Sequence, residues 1–152
     1  MADAVAAERV VVCTHCDAAN RVAAGKALTG GKCGKCGTPL ATPEPVDIDG
    51  ETLGRLMARD TGAFVLDVWA PWCGPCRMMA PAYASAAARM SGEVRFFKLN
   101  SDQNQSAAGA LGIRGIPTLL AWNGGDLVAN QAGAQTGDAL ARWIQSVFGL
   151  RA

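Results

Sequence analysis

The sequence of 152 residues lacks a long apolar run and lacks an excess of charge of either sign. A membrane-spanning helix needs roughly 20 consecutive apolar residues, and no stretch of the chain approaches that length. The Lys and Arg residues number 14 and the Asp and Glu residues 13, so the net charge is +1. A net charge so close to zero provides no general attraction to a polyanion or to an anionic membrane surface. We therefore expect neither nucleic acid nor a membrane as a partner.

The first 45 residues also contain no aromatic side chain, and their five basic residues are nearly balanced by four acidic ones. Nucleic-acid-binding modules combine a basic surface with stacking aromatics, so this segment does not resemble one. The N-terminus has acidic residues and no basic region followed by an apolar core, so it does not predict a secretory signal. We expect a cytoplasmic location, where structural disulfides are uncommon. Six cysteines in three Cys-x-x-Cys pairs then indicate metal and redox chemistry.

One pair, Cys73 and Cys76, stands between an apolar run and a helix-forming run. Residues 64–69 predict a buried strand, and residues 77–90 are rich in Ala and Met, which favour a helix. The pattern places Cys73 at a helix N-terminus, where backbone N–H groups and the helix dipole stabilise a thiolate. Cys73 is therefore predicted as the nucleophile, and Cys76, one turn into the helix and less exposed, as the resolving cysteine. Pro75 suits the first helical turn because it lacks an N–H group.

The other two pairs lie near the N-terminus, with sixteen residues between them, and consist of Cys13, Cys16, Cys33 and Cys36. This spacing falls within the range for a four-cysteine structural zinc site. So short a segment cannot bury a sufficient apolar core, whereas zinc binding would contribute its folding free energy. Gly34 and Gly37 are expected to let the backbone turn tightly around the metal. The sequence therefore predicts a structural Zn²⁺ ion.

Three alternatives for this segment stay open. The four cysteines could form disulfides that relay electrons to Cys73, iron could replace zinc on the same ligands, or His15 could substitute for one cysteine. Zinc is favoured because two pairs at this spacing are better explained by a metal than by disulfides. A further hypothesis is that oxidants eject the zinc and thereby change the activity of the rest of the chain.

The residues from Asp67 to Arg77, which read DVWAPWCGPCR, resemble the active-site signature of the thioredoxin family. The resemblance covers roughly residues 46–150 and continues, in the order of that family, through residues 94–104, 112–118, 122–125 and 133–134. The cysteine-containing segment ahead of it resembles the N-terminal part of the zinc-carrying bacterial members. The Gly-Pro pair between the cysteines resembles the reducing members of the family.

The resemblance implies roles for residues around the dithiol. Asp67 interrupts an apolar strand, and burying a carboxylate there costs several kcal/mol unless it is paired or protonated. The resemblance makes it the buried acid near Cys76 that assists proton transfer, and Lys98 matches a family lysine near that acid. Ile116 and Pro117 resemble the cis-proline turn that faces the two sulfurs. The implied docking surface for partner proteins consists of Trp72, Gly74, Pro75, Ile116, Pro117 and Gly133.

The predicted architecture is α/β: a thioredoxin fold, with a mixed central sheet flanked by helices, preceded by a small four-cysteine domain that resembles a zinc ribbon. We assign residues 1–38 to the zinc-binding domain, 39–45 to a proline-rich linker and 46–152 to the thioredoxin domain. Strands are expected at 63–69, 94–99, 117–122 and 126–131, and helices at 50–59, 74–90, 103–111 and 136–148.

The predicted activity is reduction of protein disulfides by dithiol–disulfide exchange. The resemblance implies disulfide-containing protein substrates, recycling by thioredoxin reductase, and no bound nucleotide or flavin in this chain. We expect a monomer. The alternatives are an oxidant or isomerase with a less reducing cysteine pair, a redox-sensing zinc-thiol protein or multi-dithiol relay, and a non-catalytic zinc-dependent interaction module.

Overall fold

The computed structural model describes residues 7–150, which form seven strands and four helices. In chain order these are β1 (Arg9–Val12), β2 (Ala19–Val22), β3 (Val46–Asp47), α1 (Gly50–Arg59), β4 (Phe64–Trp69), α2 (Gly74–Met90), β5 (Arg95–Asn100), α3 (Gln105–Ala110), β6 (Thr118–Asn123), β7 (Asp126–Ala132) and α4 (Asp138–Phe148). No helix in residues 7–150 is both long enough and apolar enough to cross a membrane.

Five strands form a mixed central sheet in the order β3-β5-β4-β6-β7. β3, β5 and β4 are parallel to one another, whereas β6 runs antiparallel to β4 and β7 antiparallel to β6. Helices α2 and α4 pack on one face through Met79, Tyr83, Leu140 and Ile144. The other face is covered by α1 and by partly buried residues of α3. The predicted α/β fold with helices on both faces of a mixed sheet is confirmed.

Strand β4 is the central strand, paired with β5 on one side and with β6 on the other. Its residues Phe64 to Val68 are all buried, and Trp69 is partly exposed. A strand covered on both faces needs a continuous apolar run rather than alternation, which is why residues 64–69 could be predicted as buried. The loop after β4 leads directly to Cys73 and α2.

The hairpin and the last helix depend on glycine. Gly124 and Gly125 connect β6 to β7, both with positive φ, as a two-residue hairpin turn requires.

Helix α4 begins at Asp138 rather than at the expected residue 136. The N-cap residue Gly137 has φ +57° and ψ −142°, which lie outside the helical region. Because glycine has no side chain, it cannot form a side-chain capping bond. The predicted helix start was therefore two residues early.

The N-terminal segment forms a separate two-stranded antiparallel sheet of β1 and β2. A bridge between Lys32 and Pro39 closes the second half of this segment. Leu28 and Leu40 are buried beside Cys13 and Cys33 in a small apolar cluster. The chain division at residues 39–45 stays a prediction, although Leu40 packs with the residues before it.

Candidate functional site

The first part of the site is the turn between β4 and α2, where Cys73 and Cys76 are joined in a disulfide with Cα atoms 5.2 Å apart. Cys73 is the N-cap residue of α2, and the N–H group of Cys76 donates to its Sγ at 3.2 Å. Pro75 lies at the start of the helix, where a missing N–H group costs nothing. A sulfur at this position can accept hydrogen bonds from the unpaired N–H groups of the first helical turn, and these bonds favour its thiolate form.

Both sulfur-bearing residues are buried, with 4% of Cys73 and 3% of Cys76 exposed. In the disulfide form the two residues are almost equally buried. The prediction that Cys76 is less exposed than Cys73 therefore stays a prediction. Position separates them instead, since Cys73 caps the helix whereas Cys76 lies within its first turn.

A second loop, distant in sequence, faces the disulfide. The Ile116–Pro117 peptide bond is cis, as the family resemblance implied, and Cys73 Sγ lies 3.8 Å from the carbonyl oxygen of Ile116. The N–H group of Gly133 donates to the carbonyl oxygen of Pro117 at 2.9 Å. Ile116 also packs against the cluster of Ala70 and the two cysteines. The fold thus brings residues 73, 116, 117 and 133 to one place.

Trp72 gives this region an exposed apolar surface, since 67% of the residue is accessible to solvent. Its Nε1 donates to Asp102 Oδ2 at 2.8 Å, and this bond helps to fix the orientation of the exposed ring. Asp102 was not predicted from the sequence. It follows β5 by two residues, and no local pattern connects it with Trp72.

Asp67 lies in the middle of β4 with 1% of its surface exposed. Burial raises the pKa of its carboxyl group to about 7, and the positive charge of Lys98 opposes that rise. Lys98 is its register partner on β5, and the Lys98 Nζ lies 4.3 Å from the centroid of the Trp69 ring. The carboxyl group is therefore poised to exchange a proton near neutral pH.

Tyr83, on α2, is a second residue near the site that the sequence analysis missed. Its buried hydroxyl shares its one proton between the carbonyl oxygens of Phe97, at 2.6 Å, and of Val65, at 3.2 Å. Val65 lies two residues before Asp67 on β4, and Phe97 lies directly before Lys98 on β5. Burial, together with the charge of Asp67, raises the pKa of Tyr83 well above its usual value. A signal was available, because this is the single tyrosine of the chain and a buried phenol needs a hydrogen-bond partner.

The N-terminal cysteines form a second site, in which the sulfur atoms of Cys13, Cys16, Cys33 and Cys36 lie within 4.8 Å of one another. The Cys13–Cys36 and Cys16–Cys33 sulfur pairs are 3.7 and 3.6 Å apart. Tetrahedral coordination at a Zn–S distance of about 2.3 Å puts the sulfurs about 3.8 Å apart. The four thiols therefore fit one zinc ion and need little movement to hold it.

Backbone groups support thiolates at this second site. The N–H groups of His15 and Lys35 point at Cys13 Sγ and Cys33 Sγ, each at 3.4 Å. The backbone N–H of Cys36 and other donors lower the pKa of Cys33 to about 6, whereas burial and the neighbouring thiols raise the pKa of Cys16 to about 12. The imidazole of His15 is not in the four-residue metal group. Of the two glycines expected to aid the turn, Gly37 has a positive φ of 79°, and Gly34 does not have a positive φ.

A disulfide-forming pair at a helix N-terminus, faced by a cis-proline loop on a mixed sheet, defines a protein-disulfide oxidoreductase. The family model described as "Thioredoxin" matches residues 46–146, and the model described as "Thioredoxin 2, N-terminal", a zinc ribbon, matches residues 12–38. The chain belongs to the thioredoxin family, and it carries the N-terminal zinc ribbon of thioredoxin 2.

Individual relatives agree with this assignment. Thioredoxin C-3 of Corynebacterium nephridii is 33% identical over 135 residues, which cover 89% of this chain and 92% of that protein. The thioredoxin of Haemophilus influenzae is 46% identical over 80 residues, or 53% of this chain and 75% of its own. Among solved structures, a mutant thioredoxin from Halobacterium salinarum superposes with a TM-score of 0.63 at 32% identity, over 74% of this chain and 97% of its own.

The family membership and the cysteine pair make this protein a thioredoxin-type protein-disulfide reductase that works by dithiol–disulfide exchange. Members of the family act on disulfide-containing substrates and are reduced by thioredoxin reductase. The zinc ribbon match and the sulfur geometry show that the four N-terminal cysteines are suited to binding one zinc ion. In small domains of this kind, metal binding contributes folding free energy.

Proposed function

We propose that Cys73 is the attacking cysteine of this reductase and Cys76 the resolving one. The Cys73 thiolate attacks one sulfur of a partner's disulfide, and the other partner sulfur leaves as a thiolate that takes up a proton. Cys76, once deprotonated, attacks the Cys73 sulfur and releases the second partner thiol. Two electrons pass to the partner, and the protein is left with the Cys73–Cys76 disulfide.

The observation that carries this assignment is the position of Cys73 as the N-cap of α2, with the Cys76 N–H group pointing at its sulfur. Hydrogen-bond donors and the positive end of the helix dipole stabilise a negative charge at that sulfur. Cys76 has its backbone N–H in the first turn and its side chain among buried residues, so it suits the second, intramolecular step.

Asp67 is proposed to accept the Cys76 proton during resolution. A carboxyl group with a pKa of about 7 is divided between its acid and base forms near neutral pH, which is the condition for efficient proton transfer. Lys98 supports the role by stabilising the carboxylate that must form before the proton is taken.

Partner proteins are proposed to dock on the surface formed by Trp72, Gly74, Pro75, Ile116, Pro117 and Gly133. The exposed indole of Trp72 offers apolar area next to the disulfide, and the backbone around the cis-proline offers groups that can pair with an extended segment. A protein segment carrying a disulfide is thus the substrate class. Specificity would come from shape and from apolar contact rather than from charge.

We further propose that thioredoxin reductase recycles the protein, that it acts in the cytoplasm and that it is a monomer. A reducing compartment suits a protein whose four zinc cysteines must stay reduced. Because the chain carries its own cysteine pair and needs only electrons from a reductase, a second copy of the chain has no role in the reaction.

The test is mechanism-based trapping with single cysteine variants. Cys73→Ser should abolish turnover, whereas Cys76→Ser should form a stable mixed disulfide with partner proteins that dithiothreitol releases. The matched control is the double variant Cys73→Ser/Cys76→Ser, which retains the zinc site and should trap nothing. If Cys73→Ser traps partners and Cys76→Ser does not, the two roles are reversed.

The same variants address the non-catalytic alternative. An interaction module would bind its partners equally well after both cysteines were changed, and the bound proteins would not be released by dithiothreitol. An oxidant or isomerase would instead show a reduction potential of the Cys73–Cys76 pair well above that of the strongly reducing family members. Equilibration of the pair with a glutathione or dithiothreitol buffer measures this potential.

A further inference from the structure

Two buried residues of opposite charge lie beneath the N-terminal strand. Asp60, just after α1, is 2% exposed, and Arg95, at the start of β5, is 4% exposed. Their side chains form an ion pair through Asp60 Oδ2 and Arg95 Nη2. A buried pair is stable only if its remaining donors and acceptors find partners.

Those partners come from the N-terminal segment. The N–H group of Val12 donates to Asp60 Oδ2 at 2.8 Å, and Arg95 Nη1 donates to the carbonyl oxygen of Val12 at 2.9 Å. Both backbone polar groups of Val12 are therefore held by the ion pair. Val12 is the residue directly before the zinc ligand Cys13, so the pair fixes the backbone that presents this sulfur.

A second pair of bonds extends the same contact. The N–H group of Thr61 donates to the carbonyl oxygen of Val10 at 2.9 Å, and the Val10 N–H donates to Thr61 Oγ1 at 2.7 Å. Along a strand, the backbone N–H and C=O groups of successive residues point to opposite edges. The polar groups of Arg9 and Val11 therefore face β2, whereas those of Val10 and Val12 face the thioredoxin domain. One edge of β1 thus pairs with β2, and its other edge is bonded to the thioredoxin domain.

Charge favours the arrangement as well. Four thiolates on one Zn²⁺ ion would leave about two negative charges, and the guanidinium of Arg95 donates to the carbonyl oxygen of the residue directly before Cys13. Because Arg95 is buried, its positive charge is screened little by solvent. In metal sites, hydrogen bonds from residues behind the ligands orient those ligands, and the loss of such a bond typically lowers the metal affinity about 10- to 100-fold. The bonds from Asp60 and Arg95 to Val12 are of this kind.

We propose that Asp60 and Arg95, two residues of the thioredoxin domain, are positioning residues of the zinc site and couple zinc binding to the stability of that domain. The coupling is reciprocal, as any linkage of two equilibria must be. Zinc holds β1 in place and so satisfies the buried ion pair, and the ion pair holds Val12 and so presents Cys13. The proposal rests on the zinc site and not on the roles proposed for Cys73 and Cys76.

The test is the zinc affinity of the full-length protein, measured by competition with a chromophoric chelator. Asp60→Asn removes the charge but keeps an acceptor, and Arg95→Lys keeps the charge but cannot reach both Asp60 and Val12. Each should weaken zinc binding about 10- to 100-fold. Zinc affinities within twofold of the wild type in both folded variants would overturn the proposal.

Two controls separate positioning from a general loss of stability. Arg89→Lys alters an exposed arginine of α2 and should leave the zinc affinity unchanged. Tyr83→Phe removes a hydrogen bond in the core of the thioredoxin domain without touching β1, so it should lower the free energy of unfolding. Because the domain stays folded during the titration, the zinc affinity should remain unchanged. If Tyr83→Phe weakens zinc binding as much as Arg95→Lys, a general loss of stability explains the effect and the proposal is wrong.

A measurement on the wild type covers the case in which the variants do not fold. Hydrogen exchange is followed with zinc bound and after removal of zinc by a chelator. Protection of the Thr61 and Gly62 amides, bonded to Val10 O and Asp60 Oδ1, should fall at least tenfold, whereas the Gly133 amide keeps its protection. Unchanged protection at residues 61 and 62 would contradict the coupling. Neither readout uses turnover, so failure of the proposed reductase roles would leave this test intact.

Discussion

Asp67 lies opposite Lys98 in the pairing of β4 with β5, and Asp67 Oδ1 has no hydrogen-bond partner among residues 7–150. The lysine ammonium stays over the Trp69 ring rather than binding that oxygen. The acid is therefore buried with a nearby positive charge but without a direct bond. This relationship explains why burial dominates and the carboxyl pKa rises to about 7.

The first prediction concerns stability and pH. The pKa of Asp67 is raised from 3.8 to about 7, so between about pH 4 and pH 7 the folded protein keeps a proton that the unfolded chain releases. The free energy of unfolding should fall as the pH rises through this range. Asp67→Asn removes the titration and should be more stable than the wild type at pH 8 by a few kcal/mol, with the difference shrinking towards pH 4.

Denaturant unfolding of the oxidised protein measures this effect, because the thiols of Cys73 and Cys76 do not titrate in the disulfide form. Asp47→Asn is the matched control, since it removes an exposed carboxylate that is also paired in register with Lys98. It should leave the pH profile unchanged. An Asp67→Asn profile parallel to that of the wild type from pH 5 to 8 would show that Asp67 has an ordinary pKa.

The second prediction concerns Tyr83. Tyr83→Phe removes a buried hydroxyl that shares its proton between two strand carbonyls, and the loss should cost about 1 kcal/mol in the free energy of unfolding. Tyr83→Leu also removes the edge-on contact with the Phe96 ring, whose centroid is 5.3 Å away, and should cost more. Urea unfolding checks both values; equal stabilities for Tyr83→Phe and the wild type would mean that the hydroxyl contributes nothing net.

The third prediction concerns docking. Trp72→Ala should raise the KM for a disulfide-containing protein such as insulin about tenfold, which corresponds to about 1.4 kcal/mol, because an exposed ring next to the disulfide is lost. Trp72→Phe keeps apolar area but loses the bond to Asp102 and should have a smaller effect. Met57→Ala, which removes an exposed apolar side chain of α1, is the control. A change in kcat alone would argue against a docking role.

The fourth prediction concerns metal content. Protein purified without added metal should contain about one zinc per chain, and four thiols should stay protected until unfolding. Cys33→Ser should lose most of the zinc while retaining the Cys73–Cys76 pair. Elemental analysis and a thiol count before and after denaturation give the result. Absence of metal together with more than one disulfide per chain would instead make the N-terminal pairs redox partners.

Much of the site follows from local sequence patterns. The spacing of Cys13, Cys16, Cys33 and Cys36 predicted a zinc site, and the sulfur distances and the zinc ribbon match support it. The bounds of α1 and α2 agree with the predicted residues 50–59 and 74–90. These features could be predicted because caps, apolar periodicity and cysteine spacing are encoded by residues that are near one another in the chain.

The sequence by itself predicted the redox pair and the four-cysteine zinc site from cysteine spacing, which is a short-range pattern, and it predicted the class of fold from family motifs that follow one another along residues 46–150. Tertiary structure alone decided two other relationships: that the Tyr83 hydroxyl reaches the strands of Asp67 and Lys98, and that Asp60 and Arg95 hold Val12. Each joins residues on different elements. Such contacts follow from how the strands are ordered and how the core is packed, and neither is written in the periodicity of a single segment.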